Sequence, residues 1–108
     1  MIESNFQKAV REEIEQRFPD AIVLKNDPNY IQGIPDLLVL YNDRWAALEV
    51  KKNKTATHRP NQDYYVDKMN GMSFAAFIFP ENKEEVLNAM EQSFQRRTRR
   101  KSRVSRSK

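Results

Sequence analysis

The chain has 108 residues and carries 19 basic against 15 acidic side chains, a net charge of +4. That length supports one domain around one modest core. With no cysteine and a single histidine, it excludes a disulfide framework, a thiolate zinc site and a thiol nucleophile; with no secretory leader and no apolar run long enough to span a bilayer, a cytosolic setting is expected.

The first helix is predicted from about Asn5 to Phe18, with Ser4 and Gln7 as a capping box and Pro19 as the stop. Phe6, Ala9, Val10, Ile14 and Phe18 form its apolar face, and Glu13 falls between Ala9 and Val10 on the wheel. An acid there either pairs with Arg17 at the boundary or reaches something inside. Ala21–Lys25 reads as the first strand, and Asn26–Pro35 as an irregular loop in which Tyr30 and Gln32 are candidate DNA contacts and Gly33 serves backbone geometry.

A hairpin follows. Pro35-Asp36-Leu37-Leu38-Val39-Leu40-Tyr41 and Arg44-Trp45-Ala46-Ala47-Leu48-Glu49-Val50-Lys51 flank Asn42-Asp43, both of which tolerate the positive φ of a tight turn. Pairing Tyr41 with Arg44 sets Asp36 directly opposite Glu49, at the roughly 4.5–5.5 Å typical of cross-strand neighbours. Like charges that close destabilise a sheet unless a cation lies between them. Strand alternation turns Lys51 to the side of Glu49. Two carboxylates, with a backbone carbonyl and several waters, make an all-oxygen site suited to Mg²⁺ or Mn²⁺, and the lysine can orient a water and neutralise charge developing on phosphate.

The polar loop Lys52–Arg59 stands beside that site, with Lys52, Lys54, His58 and Arg59 available for phosphate contact or simple solvation, and His58 as a proton shuttle or an exposed ring. Pro60 starts a second helix that is expected to run to Asn70 and stop at Gly71. Gln62 lies on its inward side at the N-terminal end, where unpaired N–H groups and partial positive charge favour anions. Ser73–Phe79 is apolar on both faces, which predicts a central, covered strand. Asn82 and Glu85 cap a last helix through Phe94, packed by Val86, Leu87, Met90 and Phe94. The order is α-β-β-β-α-β-α, an α/β fold.

Pro35-Asp36, a spacer and Glu49-Val50-Lys51, with Gly33-Ile34 before and Gln62 after, resemble the PD-(D/E)XK signature of restriction-like nucleases, most closely the small stand-alone VRR-NUC branch and Holliday-junction-resolvase-like nucleases. The resemblance spans Phe6 to Phe94. It implies a restriction-endonuclease-like core, a mixed sheet flanked by helices. It further implies a Mg²⁺- or Mn²⁺-dependent endodeoxyribonuclease in which Asp36, Glu49 and the Val50 carbonyl hold the metal, Lys51 assists the water, Gln62 positions, and Glu13 is the first-helix acid near the metal. Branched DNA cut by a homodimer, in a bacterial or phage-infected cytoplasm, completes that expectation.

Residues 1–94 thus form the expected domain, and 95–108 a basic tail. Eight of the 19 basic residues, including Arg96, Arg97, Arg99, Arg100 and Lys101, lie in the tail without an acid among them. Such a segment is expected to be disordered alone and to favour phosphate backbone, ahead of a localisation, membrane-contact or solubility role. Two other functional readings stay open: a nuclease-fold adaptor that binds nucleic acid uncut, and an end-processing nuclease. An RNA-binding protein built around the Arg/Ser tail is a third.

Overall fold

The computed structural model of the chain describes residues 3–95. Its elements are α1 (Glu3–Arg17), β1 (Ile22–Lys25), β2 (Leu37–Tyr41), β3 (Arg44–Val50), α2 (Pro60–Met72), β4 (Phe74–Ile78), a 3₁₀ turn (Pro80–Asn82) and α3 (Lys83–Gln95). The tail residues Arg96, Arg97, Arg99, Arg100 and Lys101 lie outside the described part. The expected order holds, in an α/β arrangement of three helices on a four-stranded mixed sheet.

The sheet runs β1-β2-β3-β4, with β1–β2 and β2–β3 antiparallel and β3–β4 parallel. Asn42 takes φ +56° in the hairpin turn, and Tyr41 pairs with Arg44 as expected. That register runs down to Leu37 opposite Leu48, so Asp36 enters β2 beside Glu49. The side chains then divide by parity. Leu37, Val39, Ala46, Leu48, Val50 and Ile78 pack with Phe6, Val10 and Ile14 of α1 and with Leu87, Met90 and Phe94 of α3 in the main core. Phe18, Tyr41 and Phe94 close one end of it, with ring centroids 5.1–5.4 Å apart.

The opposite face carries a smaller core of Ala47, Val66 and Ala75 under α2, with Leu38, Trp45, Met69 and Phe77 against it. Covering two of its strands with one helix leaves the β1–β2 side open.

Three local expectations are corrected. Ser4 lies inside α1, which starts at Glu3, so it is not the cap residue. Gly71 lies within α2, which continues to Met72, and its missing side chain faces open space, so no close approach demanded the glycine. The Ser73–Phe79 segment forms an edge strand: β4 hydrogen-bonds only to β3 among the described residues, and its apolar character comes from helices on both faces. The central position belongs to β3, whose last five residues are buried. Gly33 meets its expectation twice over, with φ +90° and a Cβ position that would lie 2.7 Å from Asn61.

Candidate active site

Asp36 stands at the entrance to β2, where the Asn26 side chain grips the Pro35 carbonyl at 2.8 Å and the Asn26 N–H donates to the Asp36 carbonyl at 2.8 Å. Its carboxylate crosses to β3, accepting the Val50 N–H at Oδ2, 2.9 Å. Glu49, near the end of β3, and Lys51, just past it, are 3% and 8% exposed, the buried charged side chains among the described residues. Burying charges costs free energy unless each finds a partner.

Gln62 supplies the partners. Its Nε2 donates to Glu49 Oε2 at 2.9 Å, while Oε1 accepts from Lys51 Nζ at 2.8 Å and from the Arg59 N–H at 3.0 Å. The last bond also satisfies an N–H at the start of α2. Lys51 Nζ donates a second hydrogen bond to the Thr57 carbonyl, 3.0 Å away, and lies 3.9 Å from Glu49 Oε2. One amide therefore fixes the carboxylate, the ammonium and the first turn of α2 in a single frame.

Electrostatics set the two carboxylates apart from ordinary surface acids. Burial pushes the Asp36 carboxyl above its usual range, opposed by the Val50 N–H and by the charges of Lys51 and Lys25. Glu49 is pushed up to about 8, first by burial and then by the charge of Asp36; Lys51 and the Asp36 backbone N–H oppose the rise, and Glu3 adds to it. A divalent cation beside the pair would relieve both causes of the rise at Glu49, so the donors suit a hard metal. Among the described residues no three Asp, Glu, His or Cys side chains converge on one point. Two carboxylates with backbone oxygen and water match the partly hydrated coordination that Mg²⁺ adopts. Val50 can contribute only through its backbone, since its side chain is fully in the core.

Asp36, Glu49, Lys51 and Gln62 are brought together; Glu13 is not among them. It sits half-buried on the α1 face where the wheel placed it, but bonds to Lys83 and to Arg17, whose guanidinium also reaches Glu84, Asn88 and Glu91. The Lys83 hydrogen bond holds its carboxyl below the usual range. Glu13 ties α1 to α3. The first-helix acid felt at the site is Glu3, an exposed residue on the opening turn of α1. Sequence reasoning missed it because the helix was expected to begin after it, where an acid reads as a complement to the helix dipole.

Lys52, Lys54 and Arg59 are exposed on the loop beside the site, as are Tyr30 and Gln32 on the earlier loop. His58 lies against β4, its ring stacked on Phe77 at 3.9 Å. No family model, curated protein or solved structure matches this chain.

Proposed function

We propose that the chain is a metal-dependent endodeoxyribonuclease of restriction-like fold that hydrolyses phosphodiester bonds and prefers branched DNA such as four-way junctions. The observation that carries this reading is the buried Glu49–Gln62–Lys51 chain beside Asp36. Burial raises both carboxyls and the charge of Asp36 adds to the rise at Glu49, so the pair works against the folded state, and such groups cluster where chemistry is done. Mg²⁺ or Mn²⁺ bound by Asp36, Glu49 and the Val50 backbone would supply an activated water and neutralise charge on the phosphate.

The chain's own groups do the positioning. Gln62 orients the Glu49 carboxylate and Lys51 Nζ together. Lys51 brings positive charge to the oxyanion that develops on phosphorus. The N-terminus of α2, a few residues from Gln62, faces the same region and favours an anionic ligand. Lys52, Lys54 and Arg59 would hold the flanking backbone, and Arg96, Arg97, Arg99, Arg100 and Lys101 would extend that contact.

Cutting two strands of a junction takes two sites, which a symmetric homodimer provides. The open face supports that state. Ile34, Leu38, Leu40, Trp45, Met69 and Met72 line an apolar groove of about 530 Å³, and Ile22 and Leu24 extend it along β1, which hydrogen-bonds only to β2 among the described residues. Exposed apolar surface next to an unpaired strand edge is a site of association. Among the described residues no helix is long and apolar enough to cross a membrane, and the proposed enzyme would meet its DNA in the cytoplasm.

The test is cleavage of a labelled four-way junction beside linear duplex, in Mg²⁺ or EDTA, by the native chain and by Asp36→Ala. Metal-dependent cutting that favours the junction and disappears in the variant is expected. Binding without cutting in both Mg²⁺ and Mn²⁺ would overturn the reading in favour of a non-cleaving adaptor.

A further inference from the structure

Hydrolysis requires the attacking water to lose a proton as its oxygen bonds to phosphorus, and few groups around the site can take it. Lys51 Nζ donates to Thr57 O and Gln62 Oε1, and an ammonium accepts no hydrogen bond. Gln62 is a neutral amide with no basic atom. Asp36 and Glu49 would be committed to the cation. His58 offers a nitrogen base on the loop whose Thr57 and Arg59 backbones bond to Lys51 and Gln62.

Its placement rests on three contacts. The residue before it, Thr57, holds Lys51 through its carbonyl, and the residue after it, Arg59, is bound at its N–H by Gln62. The ring itself stacks on Phe77 with planes 15° apart, and Phe77 is the register partner of Glu49 across β3–β4. His58 is thereby tied to the surroundings of each member of the Glu49–Gln62–Lys51 chain. The stack fixes the plane of the ring.

A fourth contact fixes its rotation. Nδ1 lies 3.0 Å from Asp63 Oδ1, in the first turn of α2. An ionised carboxylate only accepts, so the neutral ring carries its proton on Nδ1 and its lone pair on Nε2. No described residue is bonded to Nε2. An imidazole whose one nitrogen is held by a carboxylate while the other is open is the arrangement of an oriented general base.

Resting on the nuclease reading above, we propose that His58 accepts the proton of the attacking water at Nε2, with Asp63 as the positioning residue that sets the tautomer. As the water oxygen bonds to phosphorus, one of its protons passes to Nε2. The bond from phosphorus to the leaving sugar oxygen breaks with its electron pair, and that oxygen takes a proton from solvent. His58 then releases its own proton to solvent, and the ring is restored.

Because the chain has one histidine, a two-bond ¹H–¹⁵N spectrum of the ring reads the tautomer without any cleavage. The Nδ1–H form is expected in the native protein and a mixture in Asp63→Asn; an Nε2–H form in the native protein would overturn the proposal. Single-turnover cleavage at saturating junction DNA then tests the role, with melting curves confirming that each variant folds. His58→Ala and His58→Gln should both lose about 100-fold or more in rate with DNA affinity unchanged. Free imidazole should restore part of the rate to His58→Ala but none to Lys51→Ala. A His58→Gln rate within about threefold of native, or a loss confined to DNA affinity, would make His58 a DNA contact or a loop anchor and overturn the proposal. Should a variant fail to fold, the Asp63→Asn rate decides, with about a tenfold loss expected and an unchanged rate counting against. Native protein that cuts no DNA at all would overturn the nuclease reading itself, an outcome distinct from a native enzyme indifferent to His58.

Discussion

The face of the sheet under α1 and α3 and the face under α2 are built from the same strands yet differ in closure. On the first, Val10, Ile14, Leu37, Val39, Leu48, Val50, Ile78, Leu87 and Met90 are fully buried and wholly apolar. On the second, a single helix covers small residues, a buried glutamate and lysine share the sheet with them, and an apolar groove stays open. The first face carries most of the stability. The second can hold charges that stability alone would not select, because the first has already secured the fold.

The largest expected effect separates the two faces directly. Leu87→Ala, from the closed core, should cost about 2–5 kcal/mol, read as a lower midpoint in thermal or urea unfolding. Lys51→Ala should instead lose cleavage by about 100-fold or more while remaining folded. A melting point for Lys51→Ala depressed as far as that of Leu87→Ala would show that both faces serve stability alike.

Glu49 sharpens the contrast through pH. Its carboxyl is raised from 4.5 to about 8 in the folded chain, so the folded state binds that proton more tightly than the unfolded state. The stability this contributes is complete below pH 4.5, declines from there and is lost above about 8. Glu49→Gln removes the titration. In EDTA the variant should gain on the native protein as pH rises from 5 to 8, by about 2–4 kcal/mol in melting experiments. Mg²⁺ at pH 8 should raise the native melting point and leave that of the variant nearly unmoved. Parallel pH profiles would remove the electrostatic cost assigned to this face.

The open groove predicts a smaller effect on the fold and a visible one on assembly. Leu24→Lys or Ile22→Lys should shift stability by no more than about 0.5 kcal/mol, because both positions are exposed. Sedimentation should show a native dimer at micromolar concentration and a monomeric variant. A native monomer throughout would leave the groove without the partner assigned to it.

Local pattern was enough to read much of this molecule. The Asn42-Asp43 turn, flanked by β-forming residues, set the register that puts Asp36 beside Glu49, because a two-residue loop leaves little freedom in pairing. Alternation then put Lys51 with Glu49, and helical periodicity named Val86, Leu87, Met90 and Phe94 as the buried face of α3. Element order followed from the same signals. These are short-range properties, and the residues concerned carry them in any surroundings.

Tertiary packing decided the rest. The wheel placed Glu13 correctly on the inner side of α1, but only docking determined that this side meets Lys83 of α3, while Glu3 is the acid whose charge reaches Glu49. Apolar character marked β4 as covered without distinguishing cover by helices from cover by neighbouring strands, and the parallel crossover put it at the edge. The loop pattern left His58 as either a proton shuttle or an exposed ring, and only the fold laid it on Phe77 and against Asp63. Periodicity along a chain reports which way a side chain points; what it meets there depends on residues far away in sequence, and only the closed fold brings them within reach.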